Sequence, residues 1–209
     1  MTKYSVGDFV YGEKLGDGGF GGVKKNCAAS TTNQEKEYKI QRRLCHPNII
    51  QCYGAYLHEN YFFHIQEFAP YGSLMDWIRK LGKFNESCTA YYMREISKAL
   101  RYCHGLSALH RDIKPDNIVL GVNWIPKICD FGCSVKSPGM RRFTRIGTYD
   151  YLTPEIIKRE PYSTDIDIYC LGVLCYELLV GLPSFYSENN NVRMKKITFG
   201  IIKFPMEKI

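Results

Sequence analysis

The sequence predicts an α+β protein built from two lobes, a β-rich first lobe and a mainly helical second lobe. From Phe9 to Ala29 apolar residues alternate with polar ones and the chain turns on glycines, and two more strands are predicted before residue 69. The segment Pro70-Tyr-Gly72 then breaks the chain, and beyond it apolar residues recur at helical spacing. We therefore predict one domain over residues 1–209, with the first lobe and its connection at 9–69 and the second lobe at 70–209.

The first lobe is predicted to contain a hairpin, a helix and two strands. Phe9–Ala29 is predicted as a β-hairpin because it turns on a cluster of glycines. Lys36–Cys45 is predicted as a short helix that ends at His46-Pro47, since a residue before proline disfavours helical geometry. Ile49–Tyr56 and Tyr61–Phe68 are predicted as strands.

The second lobe is predicted to contain three helices and short strands. The longest helix covers Asn85–Leu106, and its asparagine can cap the first turn. Short strands are expected on either side of Asp112 and Asp130. Ile166–Val180 is predicted as a buried apolar helix, and Asn189–Ile197 as one more helix.

Composition is that of a soluble globular domain, with 45% hydrophobic and 23% charged residues. The formal charge of +7 is interpreted as a solvated basic surface, with acidic or phosphate-bearing partners as the alternative. No block of Lys and Arg predicts direct nucleic-acid binding, and no segment predicts a secretory signal or membrane span. The nine cysteines are odd in number and lack C-x-x-C spacing, which favours reduced thiols in an intracellular protein.

Two motifs carry specific chemistry. The segment His110-Arg-Asp-Ile-Lys-Pro-Asp-Asn117 matches H-R-D-x-x-x-x-N, in which Asp112 accepts the proton of a substrate hydroxyl group or orients that hydroxyl for attack. Lys114 is placed to offset charge on a transferring phosphoryl group, and Asn117 to hold Mg²⁺. The second motif, Asp130-Phe-Gly132, follows at the spacing of one hairpin, and Asp130 is the predicted ligand that bridges Mg²⁺ to the phosphates.

A glycine-rich segment precedes these motifs. It contains G-x-G-x-x-G, whose backbone N–H groups can approach a triphosphate because no Cβ atoms intervene. A glycine-rich turn without a ligand is the alternative interpretation. The candidate ATP-binding residues in this segment are Leu15, Gly16, Asp17, Gly18, Gly19, Phe20, Gly21, Gly22 and Val23.

With these motifs, the chain resembles eukaryotic serine/threonine protein kinases, and in detail the Aurora kinases. The details lie in four further segments, at residues 46–49, 67–72, 147–155 and 171–183. The resemblance implies a two-lobe protein-kinase-like fold, ATP and Mg²⁺ as cofactors, and protein substrates with basic, Arg-rich sites. It also implies a role in mitosis, at the spindle, centrosome or chromosomes, with spindle or chromosomal regulatory proteins as partners.

The resemblance assigns further residues around the nucleotide. Glu67 and Ala69 would form the hinge that binds adenine, and Val119 the floor beneath the base. Asp116 joins the predicted ATP-binding set, together with the two metal-binding residues. Gln66 takes the gatekeeper position, where the family has an apolar residue.

Other residues are assigned to positioning and regulation. Thr148 would bond to the catalytic loop, and Asp167 would anchor that loop from the buried helix. Thr144 matches the activating phosphothreonine, with Arg111 as the partner of its phosphate. Glu37 matches the helix glutamate that pairs with the family's ATP-anchoring lysine.

The strand that carries this lysine has no counterpart in the sequence. Only thirteen residues separate Val23 from Glu37, where roughly 25 are needed for a strand, its turns and the helix start. We therefore expect a first lobe that lacks this strand and the first half of the helix, and a second lobe shortened after Pro205. Lys25 lies on the same strand face as Val23 and is the only substitute that geometry supports, although this strand runs away from the phosphates. A solvated surface is the alternative interpretation for Lys24, Lys25 and Lys36. An active kinase and a non-catalytic product (a pseudokinase, a splice form or an incomplete gene model) both remain open.

Overall fold

A computed structural model describes residues 7, 17–18, 21–22, 31–58, 61–136 and 149–205. Its first elements are β1 (Asp17–Gly18) and β2 (Gly21–Gly22), which pair antiparallel with Asp17 opposite Gly22. The predicted hairpin is confirmed at these residues. The rest of the predicted hairpin lies outside the described residues.

The helix of the first lobe, α1, covers Thr31–Gln41, whereas the prediction was Lys36–Cys45. It ends before the proline because the chain tightens into a turn, where the Leu44 N–H donates to the Gln41 carbonyl at 2.9 Å. Its earlier start places more than a turn of helix ahead of Glu37. The shortage of residues expected between Val23 and Glu37 therefore does not shorten α1.

Strands β3 (Cys52–His58) and β4 (Tyr61–Gln66) form an antiparallel hairpin, with Cys52 opposite Gln66. Both strands were predicted, but β3 begins later than expected. The reason is that Ile49 and Ile50 pair with Ile128 of the second lobe instead. This contact joins the hairpin to the strands around the predicted catalytic motifs.

Helices dominate the second lobe. Helix α3 (Glu86–Gly105) is capped by the Asn85 side chain, which accepts from the Cys88 N–H at 2.8 Å, as predicted. The central helix α5 (Asp165–Val180) contributes eight buried residues. The remaining helices are α2 (Leu74–Leu81), α4 (Pro154–Lys158) and α6 (Asn190–Phe199). Helices α2 and α4 were not predicted because they are short.

Four short strands hold the two motifs next to each other. They are β5 (Ala108–Leu109), β6 (Ile118–Leu120), β7 (Pro126–Ile128) and β8 (Val135–Lys136). β5 pairs with β8 and β6 with β7, both antiparallel. The catalytic-loop motif therefore lies between β5 and β6, and the Asp-Phe-Gly motif between β7 and β8, as the sequence predicted.

Part of the α5 surface is apolar and exposed. Ile168 is 56% exposed, and Phe204, at 69%, contacts the Tyr176 ring with centroids 5.9 Å apart. In the described part of the chain, no helix has the length and apolar character required to cross a membrane.

Candidate active site

The predicted catalytic loop is anchored by Asp167, which lies fully buried on α5. Its carboxylate accepts from the backbone N–H groups of His110 at 3.0 Å and Arg111 at 2.7 Å, and it contacts His104 Nε2 at 2.8 Å. Arg111 has a positive φ of 69°, an unfavourable conformation for a side chain of this size. These charge-assisted bonds hold the strained turn in place, and the predicted anchoring is confirmed.

Three predicted catalytic residues meet on this loop. Lys114 Nζ lies 2.9 Å from Asp112 Oδ2, and Asn117 Nδ2 donates to the same oxygen at 2.9 Å. Asn117 Nδ2 also donates to the Asp112 backbone carbonyl at 2.8 Å. Because its nitrogen is used in this way, the side-chain oxygen of Asn117 is the atom that can bind a cation.

The Asp-Phe-Gly motif packs against the catalytic loop. His110 contacts the Phe131 ring edge-on at 4.8 Å, and the Cys129 N–H donates to the Asn117 carbonyl at 2.9 Å. Asp130 is exposed, has a φ of 57°, and accepts from the Gly132 N–H at 3.1 Å. The two predicted metal ligands are therefore brought to neighbouring strand ends.

The donors of this site suit Mg²⁺, a hard cation that prefers oxygen ligands and is bound by one or two carboxylates. Asp130 supplies a carboxylate and Asn117 an amide oxygen. Within the described ranges, no group of three or more His, Cys, Asp or Glu side chains forms another candidate metal site.

Glu37 of α1 points at the Asp-Phe-Gly motif, as expected for the helix glutamate. A Cβ atom on Gly132 would lie 3.4 Å from Glu37 Oε2 and 3.0 Å from Asp130 Oδ1, so glycine is the residue that fits between them. Burial and the neighbouring Asp130 charge raise the pKa of Glu37 to about 7, while a hydrogen bond from the Phe131 backbone opposes the rise.

The predicted hinge follows β4. The backbone N–H of Glu67 donates to the Gln51 carbonyl at 2.8 Å, and its carboxylate pairs with Lys127 at 3.0 Å. Ala69 is half-buried next to this segment. Val119 lies on β6, where it pairs with Ser73, so the predicted floor and the chain beyond the hinge are neighbours.

Gln66, the predicted gatekeeper, is turned towards α1. Its Nε2 atom lies 3.0 Å from Gln41 Oε1 and 2.9 Å from His64 Nδ1. No sequence motif indicated these contacts. A polar residue at a position where the family has an apolar one was the only signal.

Several predicted site residues lie outside the described residues. They are Leu15, Gly16, Gly19, Phe20, Val23, Lys25, Thr144 and Thr148. Arg111 is described and buried, and its guanidinium donates to the Cys133 carbonyl at 2.7 Å and to the Tyr162 hydroxyl at 3.0 Å. Its predicted pairing with phosphorylated Thr144 stays a prediction.

An acidic cluster that no sequence motif indicates lies beside the loop. Buried Glu177 of α5 accepts a hydrogen bond from the Tyr151 hydroxyl, and Asp116 and Asp150 lie near enough to raise its pKa further. Burial is the largest cause, and the pKa of Glu177 reaches about 7. Asp150 is itself paired with Arg193 at 3.0 Å. Asp116, predicted to bind ATP, is exposed next to this cluster.

Comparison with known proteins agrees with this architecture. Residues 28–208 match the family described as protein kinase domain, a region that begins after the glycine-rich segment. The chain is 39% identical to Aurora kinase B-A of Xenopus laevis and to Aurora kinase C of Mus musculus, over 97% of its length in both cases. The matched regions cover 62% of the frog protein and 80% of the mouse protein.

The match to the frog protein extends over 223 residues, more than the 209 residues of this chain. The relative therefore has residues within the matched region that have no counterpart here, which agrees with an internal gap. The chain spans less than two thirds of the frog protein's length. With its catalytic-loop geometry and these matches, the chain belongs to the protein kinase family and, within it, to the Aurora kinases.

Proposed function

We propose that this chain is the catalytic part of an ATP- and Mg²⁺-dependent serine/threonine protein kinase, with Asp112 as catalytic base. The observation that carries the proposal is the Asp112 carboxylate, held by Lys114 and Asn117 on a loop that Asp167 anchors. A group that accepts a proton in a transition state must be fixed in place before the reaction begins.

In this proposal the chain's own residues bind and orient the reactants. Asp112 accepts the proton of the substrate hydroxyl group or orients that hydroxyl for attack, and Lys114 stabilises negative charge on the transferring group. Glu67 and Ala69 bind adenine through the backbone, and Val119 packs beneath it. Bound Mg²⁺ neutralises charge on the phosphates.

Asp130 and Asn117 are the proposed metal-binding residues. Support for this role comes from the neighbouring carboxyl groups of Asp130 and Glu37. Burial raises the pKa of Glu37, and the charge of Asp130 raises it further. A divalent cation at Asp130 relieves that repulsion, because it places positive charge where two carboxyl groups meet.

We propose substrates with basic residues near the phosphorylated hydroxyl. The acidic cluster supports this preference through Asp116, its exposed member, which can pair with a cationic side chain of the substrate. Glu177 is buried, and Asp150 is already paired with Arg193. The cluster lies beside the loop that carries Asp112. Asp116→Asn should therefore weaken the binding of peptides that contain arginine more than the binding of peptides without it.

The family also supports a setting for the protein. We propose a role in mitosis at the spindle, centrosome or chromosomes, with spindle or chromosomal regulatory proteins as partners. Fluorescent tagging in dividing and non-dividing cells tests this, and an even distribution at all stages would contradict it.

Thr144 is the proposed phosphorylation site that regulates activity. It follows Arg141-Arg142-Phe143, a basic context like that of the proposed substrates. A phosphate adds roughly −1.5 to −2 charge, for which Arg111 is the proposed partner. Mass spectrometry after incubation with ATP should find phosphate at Thr144 before Thr148, whose hydroxyl is proposed to bond within the site.

A second candidate function is a binding module without phosphoryl transfer. Glu37 favours it: within the described residues this carboxylate has no ion pair with a Lys or Arg, and burial and Asp130 shift its pKa upwards. The family pairs this glutamate with the phosphate-anchoring lysine. Without that cation, nucleotide can bind while its γ-phosphate is misplaced.

The experiment that separates the two compares the purified chain with its Asp112→Asn variant, on a basic peptide with labelled ATP. Transfer that disappears in the variant supports the kinase. If the peptide gains the same amount of label with the unmodified chain as with the variant, and calorimetry shows ATP binding, the binding module is supported.

A further inference from the structure

A continuous chain of hydrogen bonds joins α1 to the hairpin of β3 and β4. Gln41 Nε2 donates to the Ile50 carbonyl at 3.0 Å, and Gln66 Nε2 reaches both Gln41 Oε1 and His64 Nδ1. His64 Nε2 then lies 3.0 Å from Cys52 Sγ. Four side chains from three elements are linked in this way.

One fixed acceptor sets the direction of every bond in this chain. The Ile50 carbonyl can only accept, so Gln41 must present its nitrogen to Ile50 and its oxygen to Gln66. Gln66 must then present its nitrogen to Gln41, and the same nitrogen donates its second hydrogen to His64 Nδ1. His64 is therefore neutral, with its proton on Nε2, and it donates to Cys52.

The environment of these hydrogen-bonded side chains agrees with this assignment. Gln41 is fully buried and Cys52 nearly so. Burial lowers the pKa of His64 to about 4 and raises the pKa of the Cys52 thiol, so both side chains are neutral near pH 7. Tyr38 of α1 adds an edge-on contact to the His64 ring at 5.6 Å.

We propose that Gln41 and His64 are positioning residues that, through Gln66, fix α1 to the end of β4 and so couple the helix carrying Glu37 to the hinge. Glu37 lies one helical turn before Gln41, on the same face of α1. Glu67, the first hinge residue, directly follows Gln66. A buried amide without a partner is costly, so α1 cannot move away from the hairpin without breaking this chain.

The coupling does not require the protein to be active, but its consequence for nucleotide rests on the proposed function. If α1 moves, the Glu37 carboxyl group leaves its place beside Asp130. Variants that break this series of hydrogen bonds should therefore weaken Mg²⁺-dependent nucleotide binding, by about tenfold for one unpaired buried amide. Binding in the absence of Mg²⁺ should change much less, because the hinge is proposed to bind adenine through its backbone. The Glu67 N–H donates to the Gln51 carbonyl at 2.8 Å, a bond that does not involve the Gln66 side chain.

The test combines nitrogen-15 NMR of the histidine rings with hydrogen exchange of α1 in the full chain. In the unmodified protein at pH 7, His64 should be a neutral ring protonated at Nε2. Gln66→Leu removes the donor to Nδ1, so His64 should become a mixture of tautomers and the amides of α1 should exchange about tenfold faster. Gln66→Glu places an acceptor at Nδ1, so His64 should gain a proton and its pKa should rise.

Gln51→Leu is the matched control. Gln51 precedes β3, and its side chain donates to the Cys52 backbone carbonyl, so it takes no part in the hydrogen bonds between Gln41, Gln66 and His64. This variant should leave the His64 signals unchanged. A wild-type His64 protonated at Nδ1, or α1 exchange that neither Gln66 variant alters, would overturn the proposal. If wild type and variants all fail to bind nucleotide, the proposed function fails, while the NMR result still decides the coupling.

Discussion

Glu37 of α1 and Asp130 of the Asp-Phe-Gly motif direct their carboxyl groups to the same place, on either side of Gly132. The two oxygens lie 3.4 Å and 3.0 Å from the position of a Gly132 Cβ atom. Repulsion between the two carboxyl groups adds to burial in raising the pKa of Glu37 to about 7. Glu37 therefore lies beside the proposed metal site, and it is also the residue that matches the family's partner of the ATP-anchoring lysine.

Glu37→Gln should stabilise the protein at pH 8. The pKa of Glu37 is higher in the folded chain than its ordinary 4.5, so its contribution to stability is present below pH 4.5 and lost as pH rises through 7. The neutral variant should avoid a loss on the order of 3 kcal/mol at pH 8, measured by urea unfolding.

The control for this change is Glu35→Gln, on the same helix but paired with Lys39 at 3.4 Å on the surface. It should change stability by less than about 0.5 kcal/mol. The comparison should run from pH 4.5 to 8, because the Glu37 contribution is lost over this range. The lowered pKa of His64 has the opposite effect between about 4 and 6.5, but it acts in both proteins and cancels in their difference. Equal pH dependence in wild type and Glu37→Gln would contradict the assignment.

Asp167→Asn should loosen the catalytic loop. The carboxylate accepts from two backbone N–H groups and contacts His104, whereas an amide offers one acceptor oxygen and turns its NH₂ towards a donor. We expect a loss of about 2–4 kcal/mol in urea unfolding. Asp165→Asn, at the exposed start of the same helix, should cost much less; similar losses in both would show that the loop does not depend on Asp167.

Asp130→Asn should abolish the Mg²⁺-dependent part of nucleotide binding. Asparagine tolerates the positive φ of 57° at this position, so the backbone should be retained while the charge is lost. Thermal shift with ATP, with and without Mg²⁺, measures the effect. A variant that responds to Mg²⁺ as strongly as wild type would exclude this carboxylate as the ligand.

The sequence predicted the catalytic loop well because its residues are contiguous. Asp112, Lys114 and Asn117 lie within six consecutive positions, so one tight loop is enough to bring them together. The contact of Gln41 with Gln66 joins residues far apart in sequence, on a helix and a strand. Such contacts depend on how elements pack, which local patterns do not encode.

The limits of α1 illustrate the same point. Proline is a strong local signal, and it predicted a helix that ends at Cys45. The helix ends instead at Gln41, where its side chain is buried and bonds to the hairpin, and a turn follows at once. Tertiary contacts therefore decided the boundary.

The rate of alkylation should distinguish the exposed cysteines from Cys129, next to the Asp-Phe-Gly motif. Burial and nearby carboxyl groups raise the pKa of Cys129 to about 12, so very little thiolate forms at pH 8. Cys45 and Cys88 are exposed and should be alkylated first. Excess ATP should slow the residual labelling of Cys129 but not that of Cys88, as followed by peptide mass spectrometry; equal protection at both sites would contradict a position for Cys129 beside the nucleotide.

The last prediction concerns the lysine that the sequence lacks. In the family this cation holds the phosphates and is held by the glutamate that Glu37 matches. In the described residues Glu37 has no cationic partner, and its raised pKa is what such a site predicts. We therefore expect the 209-residue chain to bind nucleotide weakly and to transfer phosphate near background, since misplacement by about 1 Å can cost a hundredfold in rate.

Inserting a V-A-I-K strand between Val23 and Glu37 should restore transfer. The added lysine should also bring the pKa of Glu37 back towards its ordinary value, because an opposite charge favours the carboxylate. Asp112→Asn in the repaired protein is the control and should abolish transfer. Strong Asp112-dependent transfer by the unrepaired chain would show that the gap is compensated, and Lys25→Met would then test the substitute that geometry favours.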